Sequence, residues 1–104
     1  MGESVEKLKP HYDLRTIQAT FCEIGALRLT RTAMKCAEEL GMSLTDVVLC
    51  IQGIASTNFY KSMTAHADHR IWQDVYHVPR QATVLYVKFT TDSAGYLLIS
   101  FKER

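Results

Sequence analysis

Two prolines and five glycines in 104 residues leave no room for a collagen-like or linker-type chain. The longest apolar run, Val47-Val48-Leu49-Cys50-Ile51, is far too short to span a membrane. The start, Met1 to Lys7, is charged and lacks the apolar stretch of a secretory leader, so a cytoplasmic protein is expected. Met1-Gly2 lacks the Ser or Thr at position 6 that N-myristoylation favours, because Glu6 stands there. Excess charge of one sign is also missing: 12 Lys and Arg against 11 Asp and Glu give +1, which excludes a general, strongly basic nucleic-acid binder. Residues 1–51 hold six basic and seven acidic side chains, and residues 52–104 six and four, so a local basic site belongs to the second half. Three cysteines, an odd number without a leader, argue against a disulfide framework. Cys22, Cys36 and Cys50 each sit in an apolar stretch and read as small core residues. With 47% hydrophobic and 22% charged residues, what remains is one globular domain over 1–104, with its own core.

The first half reads as helices. Leu14, Ile17, Phe21 and Ile24 recur at three- and four-residue steps, predicting a helix over 13–24 that stops at Gly25. Thr30 caps a second helix over 31–40, with Ala33, Ala37 and Leu40 inward and Gly41 just past its end. Ser43 and Asp46 form a capping-box pattern that opens a third, with Leu44, Val47, Val48, Ile51 and Ile54 as its stripe. A short fourth turn is expected after Ser56-Thr57, holding Asn58 to Met63.

The second half reads as strands. Ile71 to Val78 is one, ended by Pro79. In Val84 to Thr91, Leu85, Val87 and Phe89 share one face, while Tyr86, Lys88 and Thr90 take the other. In Tyr96 to Lys102, Leu97, Ile99 and Phe101 oppose Leu98, Ser100 and Lys102. Asp92-Ser93-Ala94-Gly95 between them makes a hairpin. Apolar faces must match, because a one-residue slip would turn one of them to solvent. Paired residue numbers therefore sum to an even number. A sum of 188 puts Tyr86 opposite Lys102 and Lys88 opposite Ser100; a sum of 186 makes Tyr86 and Lys102 diagonal neighbours. Either way a phenol and an ammonium share the face away from the core. Helices first and strands after predict an α+β fold, with helices on one face of an antiparallel sheet and the other face open to carry a site.

Several kinds of chemistry lack their residues. His66-Ala67-Asp68-His69 has two histidines and one carboxylate but no cysteine partner and no H-E-x-x-H helix, so it reads as a polar loop and no metal or cofactor is expected. There is no glycine-rich phosphate loop and no Gly-x-Ser-x-Gly. Glu38-Glu39 reads as a solvated helix face. A polar set in an apolar half remains: Lys61 after Phe59-Tyr60, Gln73 between Ile71-Trp72 and Val75-Tyr76, and Tyr86, Lys88, Ser100 and Lys102 on one sheet face.

Phe59-Tyr60-Lys61-Ser62-Met63-Thr64, Asp68-His69, Ile71-Trp72-Gln73-Asp74-Val75-Tyr76, Pro79-Arg80 and Ser100-Phe101-Lys102-Glu103, with Pro10-His11 and Glu39-Leu40-Gly41, resemble the MqsR family of toxins from bacterial type II toxin–antitoxin pairs. The resemblance runs from about residue 9 to 104. It implies a RelE-like α+β fold and an endoribonuclease, or mRNA interferase, that cuts free mRNA without the ribosome at GC-containing triplets such as GCU and GCA. It also implies an MqsA-like antitoxin with a zinc-binding domain and a helix-turn-helix DNA-binding domain. The family's proposed active-site residues fall on Lys61, Gln73, Tyr86 and Lys102, the residues already set apart by the polar face. Tyr60, Arg80 and Lys88 are added as RNA contacts. The chain departs from the family at Tyr76-His77-Val78-Pro79-Arg80, where His77 takes the place of a cation.

RNA carries its own nucleophile, the 2′-hydroxyl, so a protein need only align it, neutralise the phosphoryl oxygens and manage two protons. Lys61 and Lys102 suit the phosphate, Gln73 a phosphate or base edge, and Tyr86 a proton. Clustered lysines depress each other's pKa, so the proton acceptor is expected to be a partly neutral Lys61 or Lys102, with His77 as second candidate. The competing reading is a non-catalytic module that binds RNA or its antitoxin and modulates transcription.

Overall fold

The computed structural model describes residues 5–104; Met1 to Ser4, part of the start read above as charged and leaderless, lie outside the described residues. Three helices come first, each opened by the cap its sequence supplies. In α1 (Leu14–Thr20) the Asp13 carboxylate accepts from the Thr16 N–H. In α2 (Arg31–Glu39) the Thr30 hydroxyl accepts from the Ala33 N–H. In α3 (Leu44–Gln52) Ser43 and Asp46 complete the capping box. Gly41, with φ +68°, takes the left-handed position past α2 that a side chain would strain.

α1 is shorter than expected. It ends at Thr20, with Phe21 as its cap, and Ile24 lies in a separate short turn, 47% exposed. The reason is tertiary: the Gln52 amide at the end of α3 donates to the carbonyls of Gln18 and Phe21, and the Gln18 amide donates back to those of Ile51, Gln52 and Ile54. Each helix end is thus closed by a glutamine from the other, a device that local periodicity does not reveal. Cys22, just beyond α1, is exposed rather than buried; Cys36 is buried and Cys50 half-buried.

The sheet has five antiparallel strands in sequential order, β1 (Glu6–Lys7), β2 (Phe59–Thr64), β3 (Trp72–Arg80), β4 (Thr83–Thr91) and β5 (Leu97–Glu103). Two expectations are corrected. Residues 59–64 are a strand, not a turn; only Ser56–Asn58 turns. The segment pairs with β1 on one side and β3 on the other, and those partners override its weak local signal. Pro79 does not end β3. Pairing with β2 stops at Phe59–Tyr76, so beyond Tyr76 that side of β3 has no partner strand among the described residues, and a sheet tolerates proline at such an edge. The β4–β5 hairpin takes the register whose paired numbers sum to 188, with Tyr86 opposite Lys102 and Lys88 opposite Ser100.

One face of the sheet buries Tyr76, Val78, Leu85, Val87, Phe89, Ile99 and Phe101 against Ile17, Phe21, Ala33, Cys36, Ala37, Val47, Ile51 and Ile54 of the helical half. The fold is α+β, with the helices on one face of the sheet. At the outer side of β5, the Thr30 N–H donates to the Ile99 carbonyl and the Ile99 N–H to that of Arg28, so part of that edge is already paired. No helix among the described residues is long and apolar enough to cross a membrane.

Candidate active site

The face of the sheet away from the helices carries a groove of about 220 Å³, lined by Tyr60, Lys61, Met63, Val75, Tyr86, Lys88 and Lys102. Strand register builds it. Lys61, Val75, Lys88 and Ser100 form one row across β2 to β5, and His77, Tyr86 and Lys102 form the next across β3 to β5. Directly opposite residues point to the same side of a sheet, so each row presents its side chains together. Val75 is 4% exposed yet stands apart from the helix-side core, and it makes the apolar floor between the two flanking lysines.

A bulge supplies the last element. Phe59 pairs with Tyr76 and Lys61 with Val75, leaving Tyr60 as the extra residue in β2. Consecutive residues of a regular strand face opposite ways, but here Tyr60 and Lys61 both reach the groove. Phe59 turns to the core, where its ring meets that of Tyr76 at 5.5 Å. Tyr60 stacks on His77 at 4.3 Å, and His77 in turn lies 4.7 Å from Tyr86. This three-ring ladder sets the position of the Tyr86 phenol.

The three ammonium groups are not equivalent. Lys61 Nζ donates to the Glu6 carboxylate at 2.5 Å. That hydrogen bond, with the Glu6 charge, raises the Lys61 pKa above the ordinary lysine value. Lys61 is therefore a firm cation at neutral pH, against the expectation of a partly neutral lysine there. Lys88 moves the other way, drawn down first by burial and then by the charges of Lys102 and Lys61. Burial, and then Arg104, lower the His77 pKa as well, so its imidazole is neutral at pH 7; Nε2 is buried with no hydrogen-bond partner among the described residues.

Because the folded chain disfavours the Lys88 cation and the unfolded chain does not, Lys88 costs stability wherever it is charged. The cost is relieved as pH rises through the window just below the ordinary lysine pKa of 10.5. Lys88→Met, which keeps the apolar stem, should hold or raise the Tm at pH 7. If Lys88 contacts a phosphate, the same variant should weaken RNA binding and lower the slope of log affinity against log salt by about 0.7. Thermal melting and a salt titration check both.

The sequence-derived residues do not all meet. Lys61, Tyr86, Lys88, Lys102 and Tyr60 share the groove. Gln73 shares their face of the sheet but pairs with Met63, about 7 Å along β3 from Val75, at the rim. Arg80 is not in the cluster. It has the parity of Tyr76 and Val78, which face the helices, and lines a separate groove of about 330 Å³ with Asp46, Leu49 and Cys50. Tyr76 is fully buried and its pKa is pushed up to about 12 by burial and then by Asp74 and Asp13, so its ring is core. Trp72 packs on the N-terminal segment, stacked with His11 at 5.4 Å and with Lys7 Nζ 4.2 Å from its ring. No group of three or more potential metal-ligating side chains occurs among the described residues.

Two residues escaped the sequence reading. Glu6 lies on a two-residue strand too short to leave a pattern. Asp74 is a fully buried carboxylate on the helix side; it accepts from the N–H groups of His11 and Tyr12 and from the Ser62 hydroxyl, at 2.6–3.0 Å. Its one signal was a charge inside an otherwise apolar strand, which calls for buried partners.

Comparison with known proteins places the chain in a family. A family model described as motility quorum-sensing regulator, toxin of MqsA, matches residues 9–103. The mRNA interferase toxin MqsR of Escherichia coli (strain K12) is 41% identical over 101 residues, covering 96% of this chain and 100% of that protein. With a family match over nearly its whole length and a full-length relative at that identity, this chain belongs to the MqsR toxin family.

Proposed function

We propose that this chain is a toxin endoribonuclease acting as one domain in the cytoplasm. It cuts free mRNA at GC-containing triplets of the GCU or GCA kind, and an MqsA-like, zinc-containing, DNA-binding antitoxin neutralises it. The observation that carries the reading is the convergence of Lys61, Lys88 and Lys102 with the Tyr86 phenol on one groove. Family membership supports it, since the E. coli relative is an mRNA interferase toxin.

The chemistry follows from what the groove holds and lacks. A phosphodiester seated over Val75 meets three cationic donors, which lower the energy of the dianionic phosphorane more than that of the monoanionic diester. The Tyr86 phenol can give its proton to the departing 5′-oxygen, and Lys102, its register partner, stabilises the phenolate left behind. Tyr60 offers an exposed aromatic face on which a base can stack, and Gln73 at the rim offers an amide to a base edge. The products are a 2′,3′-cyclic phosphate and a 5′-hydroxyl. A net charge of +1 makes binding depend on this local cluster rather than on a broad basic surface.

The test is cleavage of a GCU-containing RNA in EDTA. The chain should cut it, leave a cyclic phosphate, and fail on the same RNA carrying a single 2′-deoxy nucleotide at the cut site. Cutting the deoxy substrate would end the 2′-hydroxyl mechanism. Intact RNA that is bound but not cut would mean a binding module. Dependence on added metal would direct attention to His66, Asp68 and His69.

A further inference from the structure

We propose that Glu6 is the general base that takes the 2′-hydroxyl proton. This rests on the endoribonuclease reading above and assigns the one role that reading leaves unfilled. Lys61 is held as a cation by its ion pair, Lys88 faces the phosphate, whose negative charge favours the ammonium, and Lys102 is the register partner of Tyr86, on the side of the leaving oxygen rather than the entering one. His77 is neutral, but its ring lies against Tyr60 and Tyr86 and its Nε2 is buried, out of reach of a substrate in the groove. Of the nearby carboxylates, Asp74 is committed to His11, Tyr12 and Ser62 on the far face, and Glu103 accepts from Thr83 at the end of the sheet.

Glu6 has the position the role requires. It pairs with Met63, which lines the groove, so the two side chains leave the same face of the sheet. Its side chain is 53% exposed and its carboxylate touches Lys61. β1 is anchored where this matters: the Val5 N–H donates to the Thr64 hydroxyl and the Thr64 N–H to the Val5 carbonyl, both at 2.9 Å. Glu6 on β1, beside the groove-lining Met63 and Lys61, and Tyr86 on β4 within the groove lie diagonally across the Lys61–Val75–Lys88 row. In-line displacement at phosphorus needs the proton acceptor for the entering oxygen and the donor for the leaving oxygen on opposite sides, which is what that diagonal provides.

In the reacting complex the 2′-hydroxyl gives its proton to the Glu6 carboxylate as the 2′-oxygen bonds to phosphorus. The bond from phosphorus to the 5′-oxygen breaks, its electron pair leaves with that oxygen, and the Tyr86 proton neutralises it. Glu6 then returns its proton to solvent and Tyr86 regains one. The ion pair adds a coupling. Once protonated, Glu6 no longer competes for Lys61, so the ammonium becomes fully available to the phosphoryl oxygens as their charge grows. That is stabilisation specific to the transition state.

The experiment compares the parent chain, Glu6→Gln and Tyr86→Phe on the same RNA in EDTA, with either the normal 5′-oxygen or a bridging 5′-sulfur at the cut site, a leaving group that needs no proton. Glu6→Gln should lower kcat about 100-fold or more with little change in KM, and equally on both substrates. The Tyr86→Phe defect should largely vanish on the 5′-sulfur substrate. A Glu6→Gln variant as fast as the parent or faster would overturn the proposal and leave Glu6 as a restraint on Lys61. A defect erased by the 5′-sulfur, or one that falls on binding rather than on rate, would overturn it too. A parent chain that does not cut would instead refute the nuclease reading itself.

Discussion

Lys61→Ala should lower the cleavage rate on a GCU-containing RNA by about 10²–10³-fold, the loss typical of removing one preorganised charge donor from a phosphoryl or acyl transition state. The effect is expected to be large because Lys61 is the groove's most fully committed cation, and Glu6 holds its ammonium in place before substrate arrives. Lys102→Ala should cost less, since Lys102 is more exposed and is shared with a second groove alongside α2 that contains Lys35, Glu39 and Glu103. Lys61→Arg should recover only part of the rate: a planar guanidinium keeps the charge but not the compact point contact. The fold should be indifferent, because Lys61 lies on the open face and its ion pair with a half-exposed partner adds little stability. Single-turnover kinetics with thermal melts of each variant decide it. A Lys61→Ala variant within threefold of the parent would remove Lys61 from the chemistry.

Asp74→Ala should do the opposite, lowering stability by about 3 kcal/mol or more. The carboxylate is fully buried and serves three donors, two of them backbone N–H groups of the N-terminal segment. Each donor left buried without an acceptor costs about 1–3 kcal/mol. At about 4–8 °C per kcal/mol for a domain of this size, the Tm should fall by about 12 °C or more. Asp74→Asn, which exchanges one acceptor oxygen for a donor NH₂, should recover only part of that. The damage should be local first, since Asp74 ties His11 and Tyr12 to β3 just downstream of β1. Amide exchange at those two residues should accelerate ahead of the core. Unchanged exchange there, with a Tm within about 2 °C of the parent, would show that the segment is held by other contacts. Because Glu6 lies on the strand this anchor steadies, Asp74→Ala should also slow cleavage without touching the substrate.

These expectations divide by where their information resides. Glu6 acts through Lys61, and Asp74 chiefly through His11 and Tyr12, all more than fifty positions away, and no local pattern names those partners. Lys61, Tyr86 and Lys102 were legible for a different reason. Tyr86 and Lys102 lie on strands whose alternation is regular, so the matching of apolar faces allowed few registers and each kept them adjacent. Lys61 stood out as a lysine following Phe59-Tyr60 and by its resemblance to a known motif, while the local pattern around it suggested a turn.

The sequence by itself determined the helix caps at Thr30 and Ser43, the β4–β5 hairpin and its choice of registers, the division into a helical and a stranded half, and membership of a toxin family. These depend on interactions between residues a few positions apart, or on a motif long enough to be unmistakable. Only the tertiary structure decided that residues 59–64 form a strand, that a bulge turns both Tyr60 and Lys61 to the groove, that Arg80 faces the helices instead, and that Glu6 meets Lys61. Each of these needs a partner strand or a distant side chain. A backbone whose local preference is weak takes whatever conformation satisfies its hydrogen bonds in the assembled sheet, and only that assembly brings the distant groups together.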